Sequence, residues 1–160
     1  MKEIVYIETT IVSYLVASPS RDLVLSAHQQ ITREWWENER VNYQCIASEE
    51  VAREAMQGNT GMAQARINVL EEVQVVGITA EVEAMAATFM ATGALPPTMR
   101  PDALHLAAAT LSGADYLLTW NCRHLANAHV LRRLHKEAEK RGWQLPGVCT
   151  PLELMGDCEP

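Results

Sequence analysis

The segment YIETTIVSYL, Tyr6 to Leu15, joins a strand to a helix with a carboxylate at the joint. Ile4-Val5-Tyr6-Ile7 is a run of β-branched and aromatic residues and reads as a short buried strand over residues 3–8. Thr9 or Thr10 can cap the helix that follows, which stops near residue 17 before Ser18-Pro19-Ser20. A strand passing straight into a helix opens a strand–helix–strand unit.

The same alternation continues along the chain. Asp22 to Arg40 reads as a long helix with an apolar stripe at Val24, Ala27, Ile31 and Trp35, and Val41 to Ala47 as a second strand. Ser48, followed by Glu49 and Glu50, starts a helix that Gly58 stops. Helices are expected from about Thr60 to Glu72, Thr79 to Gly93, Pro101 to Ser112 and His129 to Arg141. Val73–Val76, Tyr116–Thr119 and Val148–Thr150 read as further strands. This pattern implies an α/β fold with a central, mostly parallel sheet flanked by helices on both faces. With no linker or internal repeat, residues 1–160 are expected to form one domain with its core over about 3–150.

Apolar residues make up 48% of the 160 and charged residues 21%, ordinary for a soluble globular chain. No apolar run reaches the ~18 residues that span a bilayer, so no membrane association is expected and the cytoplasm is the expected location. Cys45, Cys122, Cys149 and Cys158 are scattered and read as reduced thiols. The net charge of −7 argues against broad nucleic-acid binding, while leaving room for a nuclease that meets phosphates through metal ions.

Four polar side chains fall where such a fold binds ligands, beyond the carboxyl ends of its strands or at the edges of buried helices. Glu8 ends the first strand. Asp102 opens DALHLAAATL, a helix apolar almost all round and therefore buried, where an unpaired carboxylate would cost several kcal/mol. Asp102 needs a partner, either a metal ion or the backbone amides it would cap. In SEEVAREA, Glu49 and Arg53 are spaced for a surface pair and Glu50 reads as solvated, while Glu54 leans towards a cleft. Asn121 follows the strand in LLTWNCRHL. Grouped oxygen ligands of this kind suit Mg²⁺ or Mn²⁺, and such sites support attack of water on a phosphodiester.

These stretches carry a resemblance to the PIN-domain family, and within it to the VapC-type toxins of toxin–antitoxin systems. YIETTIVSYL resembles the opening motif, with Glu8-Thr9-Thr10 where Asp-Thr-Asn is usual. SEEVARE resembles the segment in which a serine precedes the second acid, Glu54. PDALHLAAA closely matches the third motif and supplies Asp102. LLTWNCRHL resembles the fourth, with Thr119 as its hydroxyl residue and Asn121 where many members have Asp. The resemblance, over about residues 3–125, implies a Mg²⁺- or Mn²⁺-dependent ribonuclease cutting single-stranded or loop RNA, held inactive by a cognate antitoxin and often a homodimer. Glu8, Glu54, Asp102, Asn121 and Thr119 then form the catalytic set, with Glu8, Glu54 and Asp102 on the metal. The longer Glu8 and the neutral Asn121 imply a single ion at rest.

Arg123, beside Asn121, is placed to meet an RNA phosphate, and Thr9 and Thr10 line the same cleft. His105 reads as a satisfied core residue, Cys122 as structural, and the stripe Arg132, Lys136, Lys140 as a solvated face paired with Glu137 and Glu139. Adjacent Trp35 and Trp36 cannot both enter one core, which leaves Trp36 for an interface. The competing function is a non-catalytic PIN-like module that binds RNA or protein through a degenerate acidic site. A phosphotransfer enzyme is disfavoured because lysines occur only at 2, 136 and 140 and no Asp-x-Asp start is present.

Overall fold

The computed structural model of the chain describes residues 1–156; Cys158 lies outside the described residues. Five strands, β1 Ile4–Ile7, β2 Gln44–Ser48, β3 Gln74–Val76, β4 Tyr116–Leu118 and β5 Gly147–Cys149, form one sheet. The helices are α1 Thr9–Val16, α2 Leu23–Glu34, α3 Glu49–Ala55, α4 Thr60–Leu70, α5 Ala80–Ala91, α6 Arg100–Leu111 and α7 Ala128–Arg141. The strand order is β3-β2-β1-β4-β5, and every neighbouring pair is parallel.

β1 lies at the centre, with Tyr6 in register with Ile46 on one side and Leu117 on the other. Val5, Tyr6 and Ile7 are fully buried, as a strand covered on both faces must be. The chain winds outward from β1 to β3, then returns past β1 to β4 and β5. Right-handed crossovers therefore place α1 to α4 on one face and α5 to α7 on the other. The reversal opens a crevice between the ends of β1 and β4.

Helix α6 is buried at every position from Asp102 to Ala109. Its small residues Ala103, Ala107, Ala108 and Ala109 let it lie close to α5 and the sheet. Gly142, at φ +68°, ends α7 in the left-handed conformation that its lack of a Cβ permits. Among the described residues, no helix is long and apolar enough to cross a membrane.

The segment expected as one helix from Asp22 to Arg40 differs from that reading. The α-helix stops at Glu34, a π-turn spans Trp35–Glu39, and a 3₁₀ turn spans Arg40–Asn42. The wider turn separates the two tryptophans: Trp35 is fully buried and donates its indole N–H to the Leu154 carbonyl at 3.1 Å, while Trp36 carries the Arg40 guanidinium on its ring. Val41, expected in a strand, is exposed before β2 begins. The expected stripe is also turned outward at Val24 and Ala27, because the inward face of α2 includes Gln29 and Thr32. Gln29 bonds Ser20 N and the Ser18 carbonyl, and Thr32 accepts the Trp120 indole N–H at 2.7 Å, so both polar groups are satisfied in the interior.

The burial of α6 makes a test. Ala108→Leu is expected to destabilise the protein by about 1–3 kcal/mol through overpacking. Leu111→Ala, at a side chain 43% exposed, should stay within about 0.5 kcal/mol. Urea unfolding of both variants checks the contrast.

Candidate functional site

Glu8 itself caps α1, the role expected of Thr9 or Thr10. Its backbone is extended, and its Oε2 accepts hydrogen bonds from Thr10 N at 3.0 Å, from the Thr10 hydroxyl, and from the Thr119 hydroxyl at 2.8 Å. Three donors on one oxygen hold a carboxylate that is only 4% exposed. They leave Oε1 as the oxygen that can serve another partner. The Thr10 hydroxyl also accepts Trp120 N at 2.9 Å, and the Thr119 hydroxyl accepts Asn121 N at 2.9 Å. The turns after β1 and β4 are thus tied to one carboxylate.

Glu54 comes from α3, across the same crevice. Its Oε1 accepts from the Thr9 hydroxyl at 2.7 Å and bonds His105 Nε2. Burial alone would raise the Glu54 pKa, but the His105 bond and charge, with smaller help from Thr9 and Arg53, bring it below the ordinary value. Burial likewise opposes a charged His105, yet the Glu54 bond and the charges of Glu8, Glu54 and Asp102 raise its pKa. His105 is fully buried and therefore the core residue expected, and it is also a direct neighbour of the acids. One ligand atom each from Glu8, Glu54 and His105 lie within 4.8 Å of one another.

Asp102 stands in the first turn of α6. Its Oδ1 accepts from Asn121 Nδ2 at 3.2 Å, and its Oδ2 is buried without a hydrogen-bond partner. Burial raises the Asp102 pKa and the Glu8 charge adds to this, partly offset by His105, His124 and the Asn121 bond. A buried unpartnered carboxylate oxygen that also feels the charge of Glu8 is a setting in which a cation replaces lost hydration. The group that could hold a divalent ion is Glu8, Glu54 and His105; Asp102 is outside it, although its charge acts on the same imidazole. Asn121 Oδ1 accepts His124 N at 3.2 Å, so its amide bridges Asp102 and the following loop.

Two expectations about α3 are corrected. Arg53 pairs with Glu50, three residues before it, rather than with Glu49, and Glu50 is buried rather than solvated. Glu49 instead accepts Ile78 N at 2.9 Å, tying α3 to the segment after β3. Ser48 starts α3 without a side-chain cap, because its hydroxyl turns to the Tyr6 hydroxyl at 2.6 Å. Tyr6, which sequence reasoning did not single out, bonds His105 Nδ1 at 2.8 Å. Its signal was a hydroxyl in an otherwise apolar strand.

Arg123 is exposed in the loop after Asn121, and Cys122, expected as structural, is exposed beside it. The basic residues of α7 stand on its exposed side, where Glu137 pairs with Lys140 and Arg141.

No protein-family model and no curated protein matches the chain. Solved structures do. A toxin–antitoxin complex from Klebsiella pneumoniae matches at TM-score 0.62 and 19% identity, over 92% of this chain and 97% of its own. VapBC2 from Rickettsia felis, bound to a promoter DNA fragment, matches at 0.58 and 15%, over 92% and 98%. Mycobacterium tuberculosis VapC20, a sarcin–ricin loop cleaving toxin, matches at 0.59 and 15%, over 78% and 95%. The chain has the PIN-domain fold of VapC structures, the fold that the resemblance implied.

The Glu54–His105 pair predicts a stability profile for the metal-free protein. Glu54, its pKa lowered, contributes above its ordinary 4.5 and loses that contribution as pH falls through the folded value. His105, its pKa raised, contributes fully below its ordinary 6.5 and loses it as pH rises through the folded value. The stability difference between wild type and His105→Leu in EDTA should peak between these two values. Urea unfolding across pH 4 to 9 reads it, and a flat difference would show that no charged pair forms.

Proposed function

We propose that this protein is a metal-dependent endoribonuclease that cuts single-stranded or loop RNA and serves as the toxin of a toxin–antitoxin pair. The observation that carries this reading is the grouping of Glu8, Glu54 and His105, with Asp102 acting on the same imidazole and its Oδ2 buried and unpartnered. The fold supports it, since the structures it resembles include toxin–antitoxin complexes and a toxin that cleaves the sarcin–ricin loop.

In this reading Glu8, Glu54 and Asp102 hold one Mg²⁺ or Mn²⁺. When bound, the ion stabilises charge on the phosphodiester and makes an attacking water more acidic. The protein's own contribution is placement. Thr10 and Thr119 fix Glu8 so that Oε1 faces the cleft, and Thr9 braces Glu54. Thr9 and Thr10 line the RNA path while their hydroxyls hold the acids. Asn121 orients Asp102, and exposed Arg123 meets a flanking phosphate. A cognate antitoxin covers this cleft in the resting cell, and a second copy of the chain completes a homodimer.

The alternative, a binding module with a spent acidic site, is motivated by Asn121, whose amide occupies one Asp102 oxygen. Incubation of purified protein with Mn²⁺ and unstructured or stem–loop RNA separates the two. Wild type should cleave, EDTA should abolish cleavage, and Asp102→Asn or Glu8→Gln should lower the rate at least about 100-fold, the scale of losing one group that stabilises transition-state charge. Induced expression should arrest growth for wild type and spare it for Asp102→Asn. Intact RNA under all conditions, with equal growth of both strains, would refute the nuclease.

A further inference from the structure

A chain of polar groups runs through the core behind the acids. Ser48 Oγ lies 2.6 Å from the Tyr6 hydroxyl, which lies 2.8 Å from His105 Nδ1, and His105 Nε2 bonds Glu54 Oε1. Ser48, Tyr6 and His105 are all fully buried, and the two rings meet edge to face at 5.9 Å. Apolar residues could fill this volume without the cost of desolvating three polar side chains. The chain spans β2, β1 and α6 and ends on a carboxylate whose side chain is 26% exposed. Glu54 has three rotatable bonds, and the hydrogen bonds that fix its carboxylate come from outside its helix, from Thr9 and His105.

We propose that His105, oriented by Tyr6 and Ser48, is a positioning residue that clamps Glu54 Oε1 and leaves Oε2 to face a bound divalent ion. The inference rests on the metal site of the proposed function and goes beyond it by adding a support that the acid motifs do not contain. His105 is close enough to Glu8 and Glu54 to be considered a ligand. Its burial and the engagement of both ring nitrogens instead assign it to the shell that holds a ligand in place, as a buried partner does for many metal-binding side chains.

The test is Mn²⁺ titration of the full chain, followed by the EPR signal of free Mn²⁺, with pulsed EPR of the bound ion. Wild type should show no directly coordinated nitrogen. His105→Leu should weaken Mn²⁺ binding about 10–100-fold, the usual scale for losing an outer-shell partner. His105→Gln, whose amide can donate to Glu54, should restore most of the affinity. Tyr6→Phe, which keeps the ring and the core volume, should lose part of it, and it carries the test if His105→Leu does not fold. In the Glu54→Gln background, His105→Leu should cause almost no further loss, because both changes remove the same device.

Nitrogen coordination in wild type would make His105 a ligand and overturn the proposal. Additive losses in the Glu54→Gln background would also overturn it, by reducing His105 to a core-filling residue, while leaving the nuclease reading intact. Absence of Mn²⁺ binding to wild type would remove both together.

Discussion

A charge placed at the end of a buried strand must be solvated by the protein, and most of this site is arranged around meeting that demand for Glu8. Removing an ion from water costs several kcal/mol unless hydrogen bonds or an opposite charge replace the lost solvation. Here the replacement is a backbone amide and two hydroxyls on a single oxygen. One donor group comes from the first turn of α1 and the other from the residue after β4. Solvating Glu8 therefore also fixes the start of α1 and the β4 turn, and it brings Asn121 alongside Asp102. The order of the parallel sheet places these two turns side by side.

The remaining acids are held by different means. Glu54 is held by a hydroxyl and an imidazole, and Asp102 by a helix N-terminus and a side-chain amide. The neutral Asn121 has a physical sense in this setting. Its amide can donate to Asp102, whereas an aspartate there would place two negative charges about a hydrogen bond apart. Asn121 thus reduces repulsion inside the cluster while leaving Asp102 Oδ2 unpartnered.

The fold was legible because its signals are local. Ile4 to Ile7, the DALHLAAATL helix and the strand–helix alternation each declare themselves within a few residues, and together they imply a parallel sheet. The places of two acids were legible for a related reason, since Glu8 follows the buried strand β1 and Asp102 stands in the first turn of the buried helix α6. The polar interior was not. Gln29 and Thr32 lie off the apolar stripe read for α2, and their partners Ser20 and Trp120 come from other segments, whereas Glu50 was read as solvated although Arg53 stands three residues away at pairing distance. The Tyr6 hydroxyl was illegible because its partners Ser48 and His105 are 42 and 99 residues away. The π-turn at Trp35 was hidden because the apolar spacing continued across it.

The hydrogen bond between Thr119 and Glu8 joins residues 111 positions apart. During synthesis, a nascent chain cannot close this contact until the strand β4 and the turn beyond it have left the ribosome. Before that moment Glu8 ends a strand with only one of its two neighbours, and Asp102 has no amide beside it. This bond therefore closes only after residue 119 has been made. Fragments that end before Thr119 carry Glu8, Glu54 and Asp102 but lack one of the hydroxyls that hold Glu8.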